Sequence, residues 1–155
     1  MHTLQILLVV SVALNGTLAG ASLDTSVVKL PARKRIGAVA YAAFARANDL
    51  GNGRWAYPAW AIAAALSVFA AAVIALVERP GRVLVAAVIA ASVTSVLHFV
   101  ATSRAAPLML GIRTARDDQR ELAVRLDAFA RWQAVRAVFQ VLTFLVVMGA
   151  LMFAR

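Results

Sequence analysis

The residues of this chain most able to do chemistry lie at helical intervals inside apolar stretches. Ala91, Ser95, His98 and Thr102 are spaced i, i+4, i+7 and i+11, so their polar members look toward one neighbour. Trp132, Arg136, Gln140 and Thr143 follow the same logic further along. A histidine shielded from water is a proton acceptor at neutral pH, and an arginine beside it is a fixed positive charge. The competing reading is structural. In it His98 only hydrogen-bonds Ser95, Thr102 or another helix, Arg136 snorkels to phosphates, and Trp132 is a belt aromatic. Asn15, near the middle of another apolar run, needs a partner for its amide, which is either a second helix or a ligand.

Other chemistries are excluded or disfavoured. The chain has no Cys, which removes disulfides, thiolate metal sites, iron–sulfur clusters and Cys-x-x-Cys redox chemistry. The second histidine, His2, is expected at the opposite membrane face, so a two-histidine metal or haem site is implausible, and no metal or cofactor is expected. There is no Gly-rich phosphate loop and no Gly-x-Ser-x-Gly elbow. Proton-coupled export needs an acid within the membrane, whereas Asp24 and Glu78 fall at boundaries.

The elements that must carry these residues follow from composition. Of 155 residues 63% are apolar and 15% charged, against about a quarter charged in a soluble domain. Residues 3–23, 56–76, 83–102 and 135–153 approach the ~20 apolar residues a helix needs to cross ~30 Å of hydrocarbon. The expectation is one all-α domain over residues 1–155, an integral membrane bundle of four transmembrane helices with a long fourth helix. The first run also ends in a small-residue stretch, Leu18 to Ser22, that fits a cleavable signal peptide; no Lys or Arg precedes it, and it is retained as helix one.

Orientation follows from charge. Six basic residues fall in the connection 24–55 and six in 103–134, whereas Arg79, Arg82 and Arg155 are the only ones on the other side. The positive-inside rule puts both long connections in the cytoplasm and both termini outside, in a multi-pass protein of the inner (plasma) membrane. This placement also accounts for sixteen Lys and Arg against seven Asp and Glu through anionic lipid, without a nucleic-acid partner.

Neither connection reads as floppy. Ile36, Ala40, Ala43, Phe44, Ala47 and Leu50 recur at helical spacing and predict an interfacial amphipathic helix, ended by Gly51-Asn52-Gly53. Trp55, Tyr57 and Trp60 mark the headgroup level, and Pro58 suits a first helical turn. In the second connection Glu121–Arg125 and Asp127–Arg131 are acid-before-base pairs, so helix four is expected to begin near Thr114. The turn at Arg79-Pro80-Gly81 makes helices two and three a hairpin. Gly16 and Gly20 predict close approach of another helix, beside a polar stripe of Ser11, Asn15 and Ser22.

This topology brings the polar stripes together. Helix one ends at Asp24, helix three ends just past His98, and helix four passes Arg136, all at the cytoplasmic side. His98 and Gln140 should lie about five residues, or ~7 Å, inside the boundary. His98, Trp132, Arg136 and Gln140 are therefore expected to line one cavity.

The order of features resembles the anthrone oxygenase-like family of small four-helix membrane proteins. The similar elements are Gly16 and Gly20, Leu30-Pro31-Ala32, the Tyr41–Phe44 segment, Thr102 and Pro107, and Phe129, Trp132 and Arg136. Where the family often carries Asn, this chain has Leu108 and Met109 after Pro107, and Gln133 ahead of Arg136. The resemblance implies oxidation of a phenolic or anthrone-like carbon acid by dioxygen, without metal or flavin. On that reading His98 is the base, Arg136 stabilises the oxyanion, Trp132 and Phe99 stack on a flat ring, and Gln140 and Asn15 complete the binding site. The alternative is a non-catalytic membrane subunit or assembly factor. The partners expected are an anionic bilayer, a lipophilic small molecule, and either a second copy or a membrane-complex partner.

Overall fold

Alanine, leucine and valine fill every long run, and the computed structural model, which describes residues 2–154, is helical with no strand among them. The helices are α1 (His2–Leu23), α2 (Leu30–Ile36), α3 (Ala38–Ala47), α4 (Gly53–Glu78), α5 (Arg82–Leu110) and α6 (Gln119–Phe153). A π-helical turn, Asp24–Lys29, carries α1 into α2, and a second, Asn48–Asn52, carries α3 into α4. Four continuous runs result, His2–Ile36, Ala38–Glu78, Arg82–Arg113 and Gln119–Phe153, each long and apolar enough to cross a membrane.

The long helices form a ring in which α1 and α5 each pack between α4 and α6. The core is divided along the bundle. At one end Leu4, Leu8, Val68, Leu84, Val88 and Val147 pack together; at the other, Leu30, Tyr41, Leu122, Leu126 and Phe129 do so. Between these apolar layers α1, α5 and α6 bury Ser11, Asn15, Ser95, His98, Gln140 and Thr143. Outward positions are apolar as well, with Ile6, Val73, Val96, Val138 and Met152 all exposed.

The short helices are fixed to α6. Gly37 ends α2 at φ 86°, a left-handed conformation costly for residues with a Cβ, and thereby reverses the chain into α3. Arg46 then donates from Nε to the Ile112 carbonyl at 3.0 Å, from Nη2 to the Ala115 carbonyl at 2.8 Å, and from Nη1 to Asp117 at 2.7 Å. Arg33 pairs with Asp127 on α6. Lysine cannot reproduce the planar fork that reaches three acceptors in different directions. We expect Arg46→Met to cost about 3 kcal/mol, from two charged hydrogen bonds to half-buried carbonyls, read as a lower unfolding temperature in detergent. An unchanged melt would mean that α3 is held by its apolar face alone.

Several boundaries and contacts differ from the expectations above. The third long helix continues past residue 102 to Leu110 and takes in Pro107, which has no N–H to donate to the Ser103 carbonyl yet does not end the helix. The fourth begins at Gln119 rather than near Thr114, because Asp118 caps it by accepting the Glu121 amide at 2.7 Å. Gly51-Asn52-Gly53 does end the α3 run as expected, with Gly51 out of helical geometry at φ −78° and ψ −113° and a kink there into α4. Asp127 pairs with Arg33 rather than Arg131, since the α2 cation is brought alongside it. On α3 the buried face is Ala38, Tyr41, Ala42 and Ala45, against α6; Ile36, Ala40, Ala43, Phe44 and Ala47 face outward.

The two glycines of α1 part company. A Cβ on Gly16 would meet the Phe144 ring at 3.0 Å, whereas nothing lies within 4 Å of Gly20, which points outward. Four residues advance a helix by about 40° beyond a full turn, enough to carry Gly20 off the contact. Gly16→Leu is expected to cost about 1–3 kcal/mol through overpacking on Phe144, and Gly20→Leu close to nothing. Equal melting temperatures for the two variants would contradict this packing.

Candidate functional site

One cavity of about 290 Å³ opens between α1, α4, α5 and α6 at the end of the bundle where the two long connections lie. Each wall follows from a local feature of the sequence. From α1, Leu18, Ser22 and Thr25 recur at helical spacing and carry the wall into the π-helical turn. The second π-helical turn brings in Asp49 and Leu50, and the start of α4 adds Tyr57, Pro58 and Ile62. From α5 come His98, Phe99, Thr102 and Met109; from α6 come Phe129, Arg136 and Gln140.

The spacing logic succeeds where it was anchored at cavity depth. His98, Phe99, Arg136 and Gln140 all line this one space. The Gln140 amide nitrogen lies 2.8 Å from His98 Nε2, and both side chains are buried. In the orientation with the amide donating, His98 carries its proton on Nδ1, and Gln140 Oε1 is left buried without a partner. With the amide reversed, Oε1 accepts from Nε2–H and Nδ1 becomes the free lone pair. Either way Gln140 selects the tautomer and fixes the ring. Phe99 stacks at a tilt beside it, with ring centroids 4.9 Å apart.

Arg136 supplies the positive charge. Its side chain lines the cavity, while its Nε is covered and has no hydrogen-bond partner. The acid that shares the cavity is Asp49, not Asp24, which pairs with Lys29 at 2.9 Å. Asp49 was missed in the sequence because it looks like a solvated loop residue; only the π-helical turn after α3 swings it inward.

Two expected members lie elsewhere. Trp132 does not line the cavity and is 39% exposed on the outside of α6. Each i+4 step drifts by about 40°, so eight residues from Gln140 the side chain has turned off the shared face. Asn15 is buried but donates to the Ser11 carbonyl at 2.9 Å, deeper in the bundle than the α1 residues that reach the cavity. Its neighbour in the polar stripe, Ser22, instead receives Gln133 at 3.3 Å through its carbonyl and at 3.4 Å through its hydroxyl. Gln133 is fully buried and ties α6 to the end of α1 beside the cavity.

The arrangement suits a flat apolar molecule with one acidic or anionic oxygen. Most of the wall is apolar, Arg136 offers a positive charge, and the His98–Gln140 pair supplies an oriented acceptor or donor. Among the described residues no group of three His, Asp or Glu side chains is placed to hold a metal ion. Comparison with protein-family models, with curated proteins and with solved structures finds no match to this chain.

Proposed function

We propose that the protein is a multi-pass inner-membrane protein that binds a lipophilic phenolic, anthrone-like or quinol-like compound in this cavity and oxidises it with dioxygen. The observation that carries the reading is that His98, Gln140 and Arg136 line one predominantly apolar cavity, with His98 and Gln140 in contact. For an anthrone-like carbon acid, His98 takes a proton from the ring methylene and the Arg136 guanidinium stabilises the oxygen of the resulting enolate. The electron-rich carbon then reduces dioxygen, a C–O bond forms, and the hydroperoxide loses water. The balance is one methylene and one O₂ giving one ketone and one water.

Catalysis is favoured over a purely structural subunit because a subunit needs no open cavity, and the buried, unpartnered Nε of Arg136 would only cost it stability. It is tested with the purified protein in nanodiscs supplied with anthrone in air. Anthraquinone should form with one O₂ consumed per ketone, faster than in empty nanodiscs. A rate equal to that of empty nanodiscs for anthrone and for a naphthoquinol would leave the subunit reading.

Orientation is part of the proposal. The exposed apolar outer surface is compatible with lipid, and the excess of basic residues in the two long connections supports a cytoplasmic position for the cavity end. With no native Cys, Arg120→Cys should resist an impermeant thiol reagent applied outside, and Arg79→Cys should react. The opposite labelling pattern would invert the topology.

A further inference from the structure

The walls of the cavity are unequal, and the weakest one lies between α4 and α5. No residue from Arg54 to Ala63 is buried, whereas from Ala64 onward α4 buries Ala64, Ala65, Val68, Ala71 and Ala75. The first three turns of α4 therefore stand off from the bundle. Two local causes are visible. Gly51 departs from helical geometry just upstream, and Pro58 cannot donate to the Arg54 carbonyl, which weakens the helix at that level.

Two residues that line the cavity are poorly covered: Ile62 on α4 is 52% exposed and Leu110 on α5 is 54% exposed. No second layer of side chains closes the wall over them. Its surroundings are apolar, with Leu66 and Val100 exposed nearby, while the polar lining residues Asp49 and Arg54 gather toward the long connections. An opening with such a rim passes hydrocarbon more readily than water or a charged solute.

We infer that the site takes the ring head of an amphiphile whose hydrocarbon tail leaves the protein sideways between the start of α4 and the end of α5. This rests on the functional reading above and adds the substrate class: a membrane-dissolved compound with a tail. A volume of about 290 Å³ is at the small end of ligand sites and holds a flat ring system, not a ring and a long chain together. The ring oxygen meets Arg136 at the inner end, and the tail stays in the bilayer, so the hydrophobic cost of extracting it is never incurred.

The test uses the full chain in nanodiscs with a naphthoquinol bearing an isoprenoid tail and a photoactivatable diazirine on its first unit. Adducts are expected on residues 57–66 and 100–110, reduced at least tenfold by excess tail-less 2-methylnaphthoquinol. Ala106 borders the cavity one turn before Leu110 on α5, so Ala106→Phe narrows the opening and should weaken the tailed compound at least tenfold and the tail-less one by less than twofold. Adducts that the tail-less compound displaces but that map to α2, α3 or α6 would overturn the lateral opening and keep the functional reading. Equal weakening of both compounds by Ala106→Phe would also overturn the opening. Adducts that the tail-less compound does not displace, or none, would overturn the opening and the ring-binding reading together.

Discussion

Replacing His98 by alanine is expected to lower turnover of an anthrone-like carbon acid by at least about 100-fold, the smaller end of what a positioned base contributes. The fold should survive. His98 exchanges one side-chain hydrogen bond with Gln140, so its loss costs about 1–2 kcal/mol and shows as a modest drop in unfolding temperature. The space left by the imidazole is adjacent to the cavity, so added free imidazole should restore part of the activity. Full activity in His98→Ala would remove His98 as the base; a loss that imidazole does not restore would point to a positioning role.

Arg136→Met separates binding from stability. The guanidinium Nε is buried without a partner, and an apolar side chain of similar volume removes that cost. The unfolding temperature should stay level or rise. Affinity for a phenolate or quinol should fall about 30-fold or more, as expected for losing a charged hydrogen bond worth about 2–3 kcal/mol in a water-poor site. A substitution that leaves the protein as stable as before but empties its site marks a residue retained for a ligand. If affinity were unchanged and stability fell, Arg136 would be a structural cation and the anionic oxygen would have no receptor.

The architecture was legible because hydrocarbon thickness and helical rise leave little freedom: four apolar runs of the right length predict four long helices, and four are present. The pairing of His98 with Gln140 was legible for the same reason, since depth along two antiparallel helices is set by counting residues from a common boundary. Rotation was harder to read. Trp132 and Gly20 each sat one helical step from a correctly placed residue, Arg136 or Gly16, and each had drifted to the outside. A stripe read at i+4 alone accumulates this error, whereas one that alternates i+3 and i+4, such as Ala91, Ser95, His98 and Thr102, keeps its face.

The connections hid the rest. A π-helical turn carries α1 into α2 past Asp24, and the wound segment just before the kink at Gly51 delivers Asp49 to the cavity. No periodicity signals such a turn. The exposed apolar side of α3, with Ala40 and Phe44, lies opposite the face that packs on α6, so a single hydrophobic periodicity could not tell which side the bundle would take. Gln133 likewise carried no signal as a clamp, because its partners, Ser22 and Ser26, are more than a hundred residues away in the chain.

The central claim is that a ring compound sits against His98, Gln140 and Arg136, and the chain offers a direct probe of it. It contains two histidines, His2 and His98, of which only His98 lines the cavity. Ring-labelled histidine observed by NMR in nanodiscs therefore reports the site with one internal control. Titration with 2-methylnaphthoquinol should move the His98 ring signals to saturation and leave those of His2 in place, with the response lost in Arg136→Met. Signals of both histidines that stay fixed, or move together, would contradict the account.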